Sequence, residues 1–246
     1  MSKKVAAIIC AAGAGKRFGG KRKKAFVDVA GRAVFLRSIE LFAERDDVKQ
    51  ILLGIAAEDS ELVNVKWGAN LKFFNVTLFT GGAERFDTVK KGLALVKDDI
   101  DLVAIHDACR CCATAELIDK VIAEAAKTGA AIPACPVIAT LKKAKDNIII
   151  DTVDRAGLYE AQTPQVFSAE LLRKGYGNLK NLNPNKISDD AQLIEALGQK
   201  VSLVETDSSN IKITLQSDIP IAEAILKSAE KAAAKAPMGP FIEAQW

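Results

Sequence analysis

A glycine-rich turn follows the first apolar run of the chain and constrains the fold more than any other feature. Residues 5–10 read Val-Ala-Ala-Ile-Ile-Cys, which predicts a buried β-strand. The next ten residues, Ala11-Ala12-Gly13-Ala14-Gly15-Lys16-Arg17-Phe18-Gly19-Gly20, contain four glycines. Glycine lets the backbone approach a ligand closely, and N–H groups that point inward in such turns bind anions. The sequence therefore predicts an anion site at the end of this strand.

Positive charge is concentrated beside the turn, although the chain as a whole is nearly neutral. The cations are Lys16, Arg17, Lys21, Arg22, Lys23 and Lys24. Because the net charge is only +3, the composition does not favour binding to nucleic acid. Backbone donors beside several cations at the end of a first strand instead predict a nucleoside triphosphate as the ligand.

Two well-known phosphate-binding turns do not fit this sequence. A P-loop closes with Gly-Lys followed by Ser or Thr, whereas Gly15-Lys16 is followed by Arg17. A dinucleotide-binding turn reads Gly-x-Gly-x-x-Gly, but the sixth position counted from Gly13 is Phe18. Taken alone, the loop is also compatible with an ordinary turn that carries a solvated basic edge.

Length and composition set further limits. A chain of 246 residues with 49% hydrophobic residues suits one α/β domain, which we expect over residues 1–235, with a tail at 236–246. No apolar run is long enough to cross a bilayer, and the first residues do not resemble a signal peptide. We therefore expect a cytoplasmic protein with no membrane partner. The odd number of cysteines, five, argues against a disulfide framework.

Strand-like runs alternate with helical patterns along most of the chain. We predict strands at 5–10, 50–55, 75–79, 102–105, 130–134, 201–205 and 210–214. We predict helices at 33–43, 59–67, 86–96, 115–127, 168–176, 189–197 and 217–234. This alternation predicts an α/β, Rossmann-like fold with a mostly parallel sheet flanked by helices. Ligands bind such sheets at the carboxyl ends of the strands, where the glycine turn and His106-Asp107 both fall.

Residues 137–155 break the alternation and predict a projecting β-hairpin arm. Residues 137–143 and 148–153 are strand-like, and 144–147 form a turn pattern. Because an isolated hairpin is marginally stable, the arm should pack either on a second subunit or on its own chain. The sequence leaves both possibilities open.

Two further segments carry polar groups toward the same sheet edge. Gly81-Gly82 precedes a predicted helix, and Thr88 near its start is able to bond a ligand. Asp107 ends a buried strand, where it is able to contact a ribose hydroxyl or Mg²⁺. The single histidine, His106, is interpreted as a packed, hydrogen-bonded core residue rather than as a catalytic base.

Taken in order, these segments resemble the 2-C-methyl-D-erythritol 4-phosphate cytidylyltransferase family from about Val5 to Thr214. The motifs that carry the resemblance are the glycine turn with Arg17, Gly81-Gly82 with Glu84-Arg85, His106-Asp107-Ala108 with Arg110, Thr152-Val153-Asp154-Arg155-Ala156-Gly157-Leu158, Thr163-Pro164-Gln165 and Asn210-Ile211-Lys212. The resemblance implies an enzyme that transfers CMP from CTP to a sugar-alcohol phosphate and releases diphosphate. It also implies Mg²⁺ as cofactor and a homodimer formed through the hairpin arms.

The resemblance implies a role for individual residues as well. Arg17 and Lys24 would stabilise charge on the triphosphate, while Arg155 and Lys212 would hold the acceptor phosphate and aim its nucleophile. The implied CTP-binding residues are Ala11, Ala12, Gly13, Ala14, Gly15, Gly82, Arg85, Thr88, Asp107 and Ala108. The implied acceptor-binding residues are Asp107, Thr140, Arg155, Thr163, Ser188 and Lys212, and Asp107 is also the implied metal ligand.

The chain departs from the usual family pattern at five positions. Lys23, Ala25, Ala83, Cys111 and Ser209 stand where Pro, Gln, Asp, Pro and an acidic residue are usual. These departures keep two alternatives open: a cytidylyltransferase for another polyol phosphate such as ribitol 5-phosphate, and a nucleotide-binding homologue that does not catalyse.

Overall fold

A sheet of eight strands forms the centre of the computed structural model, which describes residues 3–15, 17–19, 23–183 and 187–235. Four strands run parallel in the order β5-β4-β1-β6. They are β1 (Val5–Cys10), β4 (Val48–Ile55), β5 (Val76–Thr80) and β6 (Leu102–Asp107). Their carboxyl ends therefore lie at one edge of the sheet, which confirms the predicted mostly parallel α/β fold.

Continuous apolar sequence suits β1 to the interior of the sheet, where both of its faces are covered. Val5, Ala7 and Ile9 belong to the hydrophobic cluster on one face of the sheet. Ala6 and Ile8 belong to the cluster on the other face, as the two-residue period of a strand requires.

Seven helices cover these faces within the described part of the chain. They are α1 (Val34–Ala43), α2 (Ser60–Phe73), α3 (Arg85–Leu93), α4 (Ala115–Thr128), α5 (Ala169–Gly177), α6 (Ala191–Glu195) and α7 (Asp218–Lys235). Local sequence explains the ends of α4: Leu117 N donates to the Thr114 hydroxyl at 3.2 Å, and Gly129 ends the helix at φ +87°. Among the described residues, no helix is both long enough and apolar enough to cross a membrane.

The other half of the sheet contains antiparallel strands that the sequence did not reveal. β7 (Ala130–Pro136) pairs in parallel with β12 (Ser202–Glu205) and antiparallel with β10 (Tyr159–Ala161) and β11 (Gln165–Ser168). β11 also pairs with β6. A further short hairpin, β2 (Asp28–Val29) and β3 (Arg32–Ala33), precedes α1.

The predicted strand at 210–214 is wrong. This segment is irregular, and it is held by individual hydrogen bonds rather than by a ladder. Ile213 N donates to Cys109 O at 2.9 Å, and the Ile213 side chain is fully buried. The alternating apolar pattern therefore reflects burial of single side chains against the loop after β6.

The hairpin arm is present and projects from the sheet. It consists of β8 (Leu141–Lys145) and β9 (Ile148–Val153), so its first strand begins four residues later than predicted. Asp146 and Asn147 have φ of +51° and +62°, as the favoured two-residue hairpin turn requires. Every residue of both strands is exposed, so the arm does not pack on its own chain. The predicted tail at 236–246 lies outside the described residues.

Candidate functional site

A cleft of about 390 Å³ opens at the carboxyl ends of the parallel strands. It is lined by Cys10, Ala11, Ala12, Gly13, Ala14, Gly15, Lys24, Ala25, Gly82, Ala83, Glu84, Arg85, Thr88, Asp107, Cys109 and Lys212. The lining thus combines the glycine turn after β1, the turn before α3, the end of β6 and a distant lysine from the irregular segment at 210–214.

The structure brings together most of the predicted CTP site. Ala11, Ala12, Gly13, Ala14, Gly15, Gly82, Arg85, Thr88 and Asp107 all line the cleft, as do Lys24 and Lys212. Ala108 is buried next to Asp107 and is not part of the lining. Arg17 is exposed beyond the turn. Lys16, Gly20, Lys21 and Arg22 lie outside the described residues.

The predicted acceptor site is less complete within one chain. Only Asp107 and Lys212 of that set line the cleft. Thr140 and Arg155 are exposed at the base of the arm, where Arg155 Nη1 donates to the Ile138 carbonyl. Ser188 is exposed before α6. The acceptor roles of these residues stay predictions.

Two glycines allow the turn before α3 to pack closely against its neighbours, the turn after β1 and the first turn of α3. A Cβ on Gly81 would stand 2.6 Å from Ala12 Cβ, and a Cβ on Gly82 would stand 2.2 Å from Asp87 Cβ. Both distances are too short for real atoms, so Gly81 is required for the approach to the turn after β1, and Gly82 is required for close packing against the first turn of α3. The Thr88 hydroxyl accepts from Gly82 N at 3.0 Å and donates to Glu84 O at 3.3 Å, which fixes the turn.

Asp107 is the electrostatic centre of the cleft. Its Oδ1 accepts from Arg85 Nε at 3.0 Å, and its Oδ2 lies 2.6 Å from Lys212 Nζ. Burial alone would raise the pKa of Asp107, but the charges of Arg85 and Lys212 hold this pKa well below its usual range. Asp107 is therefore a carboxylate at any pH near neutrality.

Arg85 connects the cleft to a buried carboxylate that the sequence did not single out as functional. Its Nη1 lies 2.5 Å from Asp190 Oδ2, and Tyr176 Oη donates to Asp190 Oδ1 at 2.5 Å. Burial lowers the pKa of Arg85, but Asp190 and Asp107 outweigh burial and raise it. Asp190 stands at the N-cap position of α6, but its side chain does not cap the helix; Asp189 Oδ1 instead accepts from Gln192 N at 3.2 Å. The acidic pair Asp189-Asp190 before a short helix was the only feature of the sequence that pointed to the Arg85–Asp190 contact.

A network of hydrogen bonds places Lys212 in the cleft. Arg110 Nη1 donates to Asn210 O at 2.7 Å. The buried Asn210 amide donates to Gln162 Oε1 at 2.8 Å and to Thr163 O at 3.0 Å. These bonds attach the irregular segment at 210–214 to the loop after β6 and to the residues that connect β10 and β11.

His106 and Thr163 support the cleft from behind. Thr163 Oγ1 accepts from Asp107 N at 3.0 Å and lies 3.2 Å from His106 Nδ1, while His106 Nε2 lies 3.2 Å from Arg110 O. Burial lowers the pKa of His106 to about 4, so the ring is neutral at pH 7. The interpretation of His106 as a buried, hydrogen-bonded core residue is confirmed. Thr163 is likewise buried, so its predicted contact with the acceptor stays a prediction.

The cleft offers neither an all-protein metal site nor a reactive thiol. Within the ranges that the structure describes, no group of three or more His, Cys, Asp or Glu side chains is arranged to hold a metal ion. Burial raises the pKa of both Cys10 and Cys109 to about 12, so these two thiols stay protonated. The described lining combines a glycine-rich turn with the cations Lys24, Arg85 and Lys212, which suits the binding of phosphate groups.

A family model, curated proteins and solved structures are similar to this chain over most of its length. A family model described as "IspD: 2-C-methyl-D-erythritol 4-phosphate cytidylyltransferase" matches residues 5–228. The 2-C-methyl-D-erythritol 4-phosphate cytidylyltransferase of Endomicrobium trichonymphae is 44% identical over 233 residues, which cover 92% of this chain and 100% of that protein. The one of Rhodopirellula baltica is 39% identical over 233 residues, which cover 90% of this chain and 94% of that protein. The solved structure of 4-diphosphocytidyl-2C-methyl-D-erythritolsynthase from Anaerococcus prevotii has a TM-score of 0.78 and 31% identity, covering 92% of this chain and 97% of that one.

Proposed function

This chain belongs to the 2-C-methyl-D-erythritol 4-phosphate cytidylyltransferase family, and on that basis we propose that it transfers CMP from CTP to 2-C-methyl-D-erythritol 4-phosphate. The products are 4-diphosphocytidyl-2-C-methyl-D-erythritol and diphosphate, in the non-mevalonate route to isoprenoid precursors. The observation that carries the proposal is the convergence of Lys24, Lys212 and the glycine turn on one cleft.

The nucleotide occupies the side of the cleft formed by the two glycine turns. The triphosphate lies against the turn at residues 11–15, with Lys24 and Arg17 as its cations. The base and ribose lie toward Gly82 and Thr88, where the absence of a side chain on Gly82 allows close approach. Ala83 leaves this side of the cleft less polar than an Asp would, so base selectivity depends on backbone groups.

The acceptor occupies the opposite side, next to Asp107 and Lys212. Lys212 holds the acceptor phosphate. Arg155 and Thr140 lie on the exposed arm, and in a homodimer formed through the arms they complete the acceptor site of the neighbouring subunit. The exposed apolar side chains of β9, such as Ile149, supply the surface for this dimer. Thr163 and Ser188 complete the proposed acceptor set.

Mg²⁺ fits the cleft as a cation shared between the protein and the triphosphate. Mg²⁺ is commonly bound by one or two carboxylates together with substrate phosphates. Asp107 supplies one such carboxylate, and its two bonded oxygens each keep a further lone pair. Bound there, the metal would supply charge neutralisation at the phosphates. This arrangement requires no other acidic ligand.

The residues of this chain act in the reaction by orientation and by charge. Lys212 and Arg155 aim an acceptor phosphate oxygen at the α-phosphorus of CTP for an in-line displacement. Lys24 and Arg17 stabilise the charge that grows on the transferring and leaving phosphates. The acceptor phosphate is already ionised near neutral pH, so no general base is required. The buried position of His106 agrees with this mechanism.

An assay of diphosphate release distinguishes the three hypotheses about the function of this chain. Purified protein is incubated with CTP, Mg²⁺ and either 2-C-methyl-D-erythritol 4-phosphate, ribitol 5-phosphate or no acceptor. We expect release only with the first acceptor, with the cytidylated product identified by mass spectrometry. Faster release with ribitol 5-phosphate would favour the other polyol. CTP binding without release from any acceptor would favour a non-catalytic homologue.

A further inference from the structure

Two neighbouring lysines at the cleft have different surroundings. Lys24 lines the cleft next to Gly15, and it has no ion-pair partner within the described ranges. Lys23 points to the start of α2, where its Nζ lies 2.7 Å from Asp59 Oδ2 and 2.6 Å from Glu58 Oε1. Two carboxylates thus already neutralise the Lys23 ammonium group.

We propose that Lys23 is a positioning residue for Lys24, an inference that rests on the proposed function. Lys23 anchors the short 3₁₀ helix Lys24–Phe26 to α2, and this anchor directs the Lys24 side chain into the cleft. Lys23 itself does not contact the triphosphate.

Burial decides which of the two ion pairs matters. The Asp59 side chain is 10% exposed, whereas the Glu58 side chain is 70% exposed. An exposed ion pair contributes little, but a buried carboxylate that loses its partner is strongly unfavourable. The Lys23–Asp59 pair is therefore the contact that fixes this end of the 3₁₀ helix.

The other end of the 3₁₀ helix is anchored to α2 by aromatic packing. The ring of Phe26 stacks on Trp67 of α2 at 5.7 Å between centroids and meets Phe35 edge-on at 5.6 Å. Phe26 N also donates to Lys23 O at 2.9 Å. Lys24 and Ala25 lie between these two anchors, and both line the cleft. A loss of the Lys23 anchor therefore leaves Lys24 attached on one side only.

The backbone of Lys23 offers a matched rescue variant. Its φ of −65° and ψ of 141° are values that proline adopts, so Lys23→Pro preserves the direction of the chain without the ion pair. Lys23→Met removes the charge and keeps an unbranched chain, but it does not restrict φ. Lys72→Met removes a charge from the exposed C-terminal end of α2, far from Asp59, and serves as the control.

Steady-state kinetics of these variants test the proposal. A misplaced catalytic group typically costs up to about a hundredfold in rate, so we expect Lys23→Met and Asp59→Asn each to lower kcat by between about tenfold and about a hundredfold. The KM for the acceptor should not change. The double variant should be no slower than the single variants, because both disrupt one contact. Lys23→Pro should recover most of the wild-type kcat, and Lys72→Met should match wild type.

Three kinetic results would overturn the proposal. They are a wild-type kcat in Lys23→Met, a Lys23→Pro enzyme as slow as Lys23→Met, and a higher KM for CTP that proline does not correct. The last result would make Lys23 a direct phosphate ligand.

Hydrogen–deuterium exchange of the Phe26 amide tests the anchor without any turnover. The exchange rate of this amide should increase in Lys23→Met but not in Lys23→Pro. Equal rates in the two variants would refute the role of Lys23 as an anchor. An inactive wild-type enzyme would contradict the proposed function, while exchange would still decide the role of Lys23.

Discussion

Replacement of Asp190 by Asn should destabilise the protein and slow the reaction, although Asp190 does not line the cleft. The Asp190 side chain is 1% exposed, and it bonds both Arg85 and Tyr176. The removal of one partner from a buried ion pair typically costs about 3–5 kcal/mol, because the other charge remains buried. Arg85 is 24% exposed and keeps Asp107 as a partner, so we expect the lower end, about 3 kcal/mol.

Urea unfolding measures this loss, and two variants calibrate it. For a chain of this length, a loss of about 3 kcal/mol corresponds to a fall in Tm of about 6–12 °C. Tyr176→Phe removes only one hydrogen bond to the same carboxylate and should cost about 1.5–3 kcal/mol. Asp189→Asn alters the neighbouring acid, which accepts hydrogen bonds from Gln165 and Gln192. This substitution should cost about 1 kcal/mol.

The same variant shows whether Asp190 contributes to catalysis in addition to the stability of the fold. With Asp190 neutral, Arg85 should shift toward Asp107 and disturb the ion pair of Asp107 with Lys212. We therefore expect kcat to fall in Asp190→Asn even at temperatures where the variant is fully folded. A cost of about 1 kcal/mol or less, no greater than that of Asp189→Asn, would refute the assignment of Arg85–Asp190 as a buried ion pair that stabilises the cleft.

Three further predictions address the cleft, the arm and the buried histidine. Lys24→Ala and Lys212→Ala should each lower kcat by about a hundredfold or more with an unchanged circular dichroism spectrum, on the scale of one lost transition-state donor; wild-type turnover in either would contradict its role. Ile149→Asp should convert a dimer to a monomer in sedimentation and remove activity, whereas a wild-type monomer would rule out the arm as a dimer contact. His106 is the only histidine, so its ring signals in NMR should titrate near pH 4 rather than 6.5. Because its folded pKa is lowered, the free energy of unfolding should fall as pH decreases from 6.5 to about 4, by up to about 3 kcal/mol; a flat profile would contradict its burial.

Local sequence was sufficient for the parallel half of the fold. The strand at Val5–Cys10 is where the apolar run and the following glycines placed it. This works because a buried parallel strand is an uninterrupted apolar run, and glycine marks its end. The helix at Val34–Ala43 was equally clear from its apolar spacing.

Non-local pairing explains what the sequence did not reveal. β10 and β11 have only three and four residues and depend on partners in β6 and β7. Such short strands have little apolar pattern of their own, so no strand was predicted at either position. Asp190 lies 105 residues from Arg85, and no local pattern links the two. The residue pattern predicted the arm, but it left open what the arm packs against.

The charges of the described lining explain why one lysine should matter most. The cleft contains three cations, Lys24, Arg85 and Lys212, and two carboxylates, Glu84 and Asp107. Arg85 and Lys212 are already paired with Asp107, whereas Lys24 has no such partner among the residues that the structure describes. A triphosphate carries more negative charge than these groups can balance, which agrees with the proposal that Mg²⁺ and Arg17 also contribute. In the proposed complex Lys24 would bind the phosphate without first losing an ion pair, so its removal should reduce the rate more than that of any paired cation.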